Sequence, residues 1–228
     1  MWDDLKSIFR KEDDPPSFPR RVSARRANDD SWPAGYPTEE TSRLSRGVEQ
    51  FLVGIERRPT STIVDMGGAN QANINYITNL GHRLSSENLI PALDSVWNAP
   101  NVSESRKLED FLEQTLNYQG SSLGGLLLWE GLEYLPTPLL EAFVKRLHEL
   151  LERDALILAI FHSEDRAQLV ANYAYRILDP RTLQISPRGL RRRAQTFSNR
   201  ALETLFKDFQ AIKFFLTRDN FREVLIRR

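Results

Sequence analysis

Residues 155–161 read ALILAIF, seven positions without a polar side chain. A strand on a half-solvated sheet alternates apolar and polar residues. A run with no polar face has to be covered on both sides, as in the parallel sheets of α/β proteins. The flanking sequence supplies the covers. Thr137 and Pro138 open a helix whose stripe is Leu139, Leu140, Phe143, Val144, Leu147, Leu150 and Leu151. Residues 126–129 (LLLW) form a second buried strand before it. Upstream, Leu44, Val48, Phe51, Leu52 and Ile55 mark a helix that stops before Pro59, and residues 61–66 (STIVDM) run as a strand into Gly67 and Gly68. A short helix with Ile74, Ile77 and Leu80 closes at Gly81, and residues 82–87 make a further strand. Helices are expected around residues 89–97 and 105–118, and a small hairpin from residues 175–178 and 182–185. A helix with Leu202, Leu205, Phe206 and Phe209 precedes two final strands, residues 211–217 and 222–226, joined by Arg218, Asp219 and Asn220. Strands alternating with amphipathic helices give right-handed βαβ units. The expected fold class is α/β, a doubly wound, mostly parallel sheet with an antiparallel C-terminal hairpin.

Composition divides the chain. Residues 1–40 hold a short amphipathic segment (Trp2, Leu5, Ile8, Phe9) and then a stretch rich in proline and mixed charge, with few aliphatic residues. Such a stretch buries too little apolar surface to offset its ordering entropy, so it is expected to be a disordered arm. The first ten residues then read as a loose end or as a docking element for a protein partner. Residues 41–228 form the folded domain. The chain has no cysteine, which excludes a disulfide framework and a thiolate site, and its formal charge is zero, so no global field draws nucleic acid or a membrane. No apolar run reaches the ~20 residues of a membrane span. A cytoplasmic setting is expected, and no metal site.

In a doubly wound sheet a ligand binds beyond the carboxyl ends of the strands. The first βα turn there is Asp65, Met66, Gly67, Gly68, Ala69, Asn70, and Glu87 ends the next strand twenty residues after Gly67. Glycines let backbone amides approach a ligand, and an acid at the second strand end accepts hydrogen bonds from ribose hydroxyls. A carboxylate just before the glycines repels a pyrophosphate but suits the ammonium of an amino acid moiety. The ligand that fits is a nucleoside joined to an amino acid.

Residues 65–69 (DMGGA) resemble motif I of class I S-adenosylmethionine-dependent methyltransferases, and Glu87 resembles their second-strand acid. Residues 126–136 (LLLWEGLEYLP) are similar to their fourth strand and its turn, and the C-terminal FFLTRDNFREVLIRR to the hairpin that closes their sheet. The resemblance implies a methyltransferase Rossmann-like domain over residues 41–228. It implies S-adenosylmethionine held by Asp65, Gly67, Gly68, Ala69, Asn70 and Glu87, with Trp129 and Glu130 near the methionyl end or an unidentified acceptor. Two glycines of the motif are replaced, by Ala69 and by Gln71, whose long side chain is expected near the ligand. No third strand is apparent. The alternative is a non-catalytic pseudo-methyltransferase kept as an interaction or regulatory module.

Candidates for a general base are Glu130, Tyr134 and His162, all near strand ends; a lone histidine is otherwise structural. Glu133 is a further candidate of the same kind. Trp129 reads equally as core or as pocket wall. Arg188, Arg191, Arg192 and Arg193 read as a solvated loop or as a contact for an acidic or phosphate-bearing partner.

Overall fold

The computed structural model describes residues 32–118, 123–163 and 167–228; the expected docking element at Trp2, Leu5, Ile8 and Phe9 lies outside the described residues. The elements are β1 (Thr41–Leu44), α1 (Arg46–Glu56), β2 (Thr62–Asp65), α2 (Gln71–Asn79), β3 (Arg83–Ser86), α3 (Leu89–Trp97), α4 (Glu104–Thr115), β4 (Leu123–Trp129), α5 (Thr137–Leu150), β5 (Leu151–His162), β6 (Leu169–Ile177), β7 (Thr182–Arg192), α6 (Asn199–Leu205), β8 (Ala211–Leu216) and β9 (Phe221–Arg227). A 3-10 turn, Gly131–Tyr134, follows β4.

Six strands form the main sheet in the order β3-β2-β4-β5-β9-β8. The first four are parallel, and β9 and β8 close the sheet antiparallel, as expected for the fold class. The apolar runs serve two layers. In β5, Ile157, Ala159 and Phe161 face a cluster with α3, α4, α5 and α6, while Leu156, Leu158 and Ile160 face a cluster with α1 and α2. Gly125 makes the second layer possible, since a Cβ there would lie 3.0 Å from Phe51 of α1.

A second, three-stranded sheet, β1-β7-β6, lies on the α1 and α2 side, where Tyr173, Tyr175, Ile177, Leu183 and Ile185 join that cluster. This sheet corrects several expectations. Leu44 is not part of the α1 stripe: it ends β1 and is 76% exposed, because Ser45 caps α1 by accepting from Val48 N. The hairpin at residues 175–185 is the core of a longer pair, β6 with β7, that extends to Leu169 and Arg192. Arg188, Arg191 and Arg192 therefore belong to a strand, not a loop. Thr137 is the first residue of α5 and Pro136 precedes it, so Thr137 is not the cap. No strand lies between α3 and α4 among the described residues, as the sequence indicates. Trp32 and Tyr36, placed in the arm by composition, pack against Tyr173 and Phe221.

Candidate functional site

The ligand end of the main sheet is built from the chain leaving β2, β3, β4 and β5. Asp65 closes β2 and is 1% exposed. Its Oδ1 accepts from Gly67 N at 2.9 Å and from Trp129 Nε1 at 2.7 Å, and its Oδ2 accepts from Asn73 Nδ2 at 2.8 Å. Burial pushes the carboxyl above its usual range, while these three donors and the charge of Arg188 oppose the shift. Both oxygens are thus taken by the protein's own donors.

Trp129 fills the space over the glycine turn. It ends β4 at φ 50°, a left-handed conformation that costs a bulky residue about 1–3 kcal/mol. Its ring lies flat on Tyr175 of β6, with centroids 4.8 Å apart and planes within 4°. A Cβ on Gly67 would sit 2.7 Å from Trp129 Cδ1, so Gly67 allows the close approach of the indole. Asn73 of α2 completes the wedge: Nδ2 also donates to Tyr175 O at 3.1 Å, and Oδ1 accepts from Ile177 N at 2.8 Å. Asn70 caps α2 by accepting from Ala72 N and donates to Tyr175 O.

The chain after β3 crosses the same mouth. Gly68 N donates to Glu87 O at 2.8 Å, Glu87 N to Asp65 O at 2.8 Å, and Leu89 N to Met66 O at 3.1 Å. Leu89, 1% exposed, packs on Gly131, where a Cβ would lie 2.5 Å from it. The cavity left among Gly67, Asn88, Leu89, Trp129, Glu130 and Tyr173 is about 20 Å³. That volume is water-sized, whereas small-molecule sites span ~300–1,000 Å³. Among the described residues, this cavity beside the glycine turn is too small for a nucleoside with Trp129 in place. Glu87 stands where the sequence places it, half-buried, accepting from Tyr118 OH at 2.9 Å. Ser85 Oγ lies 2.9 Å from the same phenolic oxygen and can donate to it, and burial pushes the Tyr118 phenol up to about 12. Ala69 is exposed, and so is Gln71, whose side chain bonds Asn75 at 2.7 Å; it points to solvent and not toward a ligand, a correction to the expectation.

The candidate bases come together, but turned inward. Glu130 is 2% exposed, and its Oε1 accepts from Asn172 Nδ2 at 2.7 Å and Tyr173 N at 2.8 Å. Burial pushes its carboxyl up. His162 Nδ1 meets Glu133 Oε2 at 2.5 Å and its Nε2 meets Ala171 O at 2.9 Å. Arg193, 6% exposed, donates to Glu133 Oε1 at 3.1 Å. Tyr134 is buried beneath the guanidinium of Arg191, which pairs with Asp94. This is a buried Glu–His–Arg cluster holding β6 and the end of β7 onto the main sheet. Of the arginine group, Arg188 and Arg192 remain exposed, and Arg192 bonds Gln168. Asn73 and Tyr175 were not singled out from the sequence, and Arg193, grouped there with a solvated or partner-binding loop, is instead buried against Glu133. Asn73 carried one signal, a polar residue on the buried face of a short helix.

No protein-family model matches the chain, and no curated protein matches it. Among solved structures it is similar to the 1,6-didemethyltoxoflavin-N1-methyltransferase of Burkholderia thailandensis, at 14% identity over 80% of this chain and 77% of that one, TM-score 0.43. It is similar to the methyltransferase CcbJ of Streptomyces caelestis, at 11% identity over 87% and 97%, TM-score 0.46. It is also similar to the glycopeptide N-methyltransferase MtfA complexed with sinefungin, at 12% identity over 79% and 85%, TM-score 0.45. By its own strand order, four parallel strands closed by an antiparallel C-terminal hairpin, this chain has a methyltransferase-like Rossmann-like fold.

Proposed function

We propose that this chain is a methyltransferase-like protein that works as a non-catalytic interaction or regulatory module. One observation carries the reading: the wedge of Trp129 on Tyr175, bonded to Asp65, occupies the place beside the glycine turn that a cofactor would need. Both oxygens of Asp65 accept from the protein's own donors, and Glu130 through its Oε1, with Glu133 and His162, bonds β6 or its neighbours. Calorimetric titration of S-adenosylmethionine and S-adenosylhomocysteine into the purified full chain tests it. The expected result is no heat of binding at millimolar ligand from a cooperatively folded protein. Micromolar binding of either overturns the reading.

A second reading keeps S-adenosylmethionine as the cofactor and an unidentified acceptor as substrate. Glu87 favours it, standing half-buried at the end of β3 where ribose hydroxyls would be recognised. In that reading Trp129 and Tyr175 swing away before the cofactor enters, Gly67, Gly68, Ala69 and Asn70 border its methionyl part, and Glu87→Ala weakens binding by about 1–3 kcal/mol.

A further inference from the structure

The main sheet ends at β8. β8 pairs with β9 over its whole length, and no strand covers its other side among the described residues. Its outer N–H and C=O groups are a template for one more strand. Ile212 and Phe214 turn toward the cluster of α5 and α6, which leaves Lys213 and Phe215 on the opposite face. There they line, with Leu44, Arg46, Glu49 and Arg181, a groove of about 470 Å³. The start of α1 borders it, pinned over β9 by Gly47 N donating to Glu223 Oε2 at 2.7 Å. Leu44 and Leu216, 76% and 84% exposed, leave apolar surface at the same edge.

Charge selects the occupant. Arg181 takes Glu49 in an ion pair at 2.7 Å. Arg46 and Lys213 have no ion pair among the described residues, and the Lys213 ammonium rests over the Phe215 ring at 5.0 Å. A second copy of the chain would bring these cations against their like, the device by which an edge lysine discourages self-pairing. We infer that the outer edge of β8 takes an extended acidic peptide as an added strand. Its backbone would bond to β8, its acidic side chains on the groove face would meet Arg46 and Lys213, and its apolar ones on the other face would meet Leu216. The inference rests on the interaction-module reading, to which it gives a surface and a partner chemistry.

The test is calorimetric titration of the full chain, at low salt, with a blocked hexapeptide of alternating valine and glutamate. Controls are the valine–lysine peptide and a valine–glutamate peptide N-methylated at alternate residues. Binding of the glutamate peptide alone is expected, with new amide-exchange protection along β8. Affinity should fall about tenfold on adding salt to screen it and about fivefold or more in Lys213→Glu and in Arg46→Glu. The milder Lys213→Gln, with an unchanged thermal transition, should lose less. No heat at millimolar peptide, equal binding of the lysine peptide, or unchanged affinity in the charge-reversed variants would each overturn the assignment. So would a dimer of the protein alone in sedimentation that blocks the peptide, since the edge would then belong to a second copy. Peptide binding together with micromolar S-adenosylmethionine binding keeps the edge and sinks the module reading. Absence of both does the reverse.

Discussion

Asp65 stands one residue before the glycine turn, and its role depends on which donors reach it. Gly67, Trp129 and Asn73 all do, so the carboxylate is spent inside the protein. Trp129 holds the arrangement at a positive φ, which makes a ranking testable. Trp129→Ala should cost about 3–5 kcal/mol in urea denaturation through the cavity it leaves. Trp129→Gly should cost no more than that, because glycine adopts φ 50° without a Cβ clash. A glycine variant well below the alanine variant would mean that the backbone there is not strained. Glu130 gives a pH prediction. Burial raises its folded pKa above the ordinary 4.5, as it raises that of Asp65 above 3.8. The folded state therefore binds more protons than the unfolded chain between the two values, and these groups' contribution to stability falls as pH rises through that window. Glu130→Gln keeps an acceptor for Asn172 and Tyr173 and removes the ionisation. It should flatten that decline and leave the variant at least as stable as the parent at neutral pH. An unchanged slope of unfolding free energy with pH would contradict the assignment.

At the scale of elements, the added sheet decides what packs at the carboxyl ends of the parallel strands. β6 reaches the main sheet through Tyr175, Asn73 and the cluster of Glu133, His162 and Arg193. Removing Glu133 leaves Arg193 and His162 buried beside each other without a carboxylate. Glu133→Ala should cost about 3–5 kcal/mol, and native-state hydrogen exchange should show protection lost first in β6 and β7. Uniform loss across both sheets would show that the cluster is not what fastens the small sheet. The alternation of residues 175–178 and 182–185 announced a hairpin but not its reach. Its extension through Arg188 to Arg192 pairs residues whose own sequence reads as a polar, arginine-rich loop. Leu44 misled for a related reason: spacing alone sets it in phase with Val48 and Phe51, but the Ser45 cap starts the helix at Arg46, two residues later.

In the whole molecule the two apolar clusters share the main sheet, and β4 and β5 contribute to both. With the small sheet tied to the same strands, urea unfolding should give one transition, coincident by tryptophan fluorescence and far-ultraviolet circular dichroism. An earlier fluorescence transition would mean that β6 and β7 open on their own. The sequence by itself determined the layers, the parallel order closed by an antiparallel hairpin, and the place of the glycine turn and of Glu87. These follow from periodicity and chain-local turn chemistry, which are written in consecutive residues. Only the tertiary structure decided what packs over the glycine turn. That outcome depends on Trp129, Tyr175 and Leu89 meeting around Gly67 and Gly131. Those residues are far apart in the chain, and their proximity is set by a second sheet whose docking bonds leave no periodic trace.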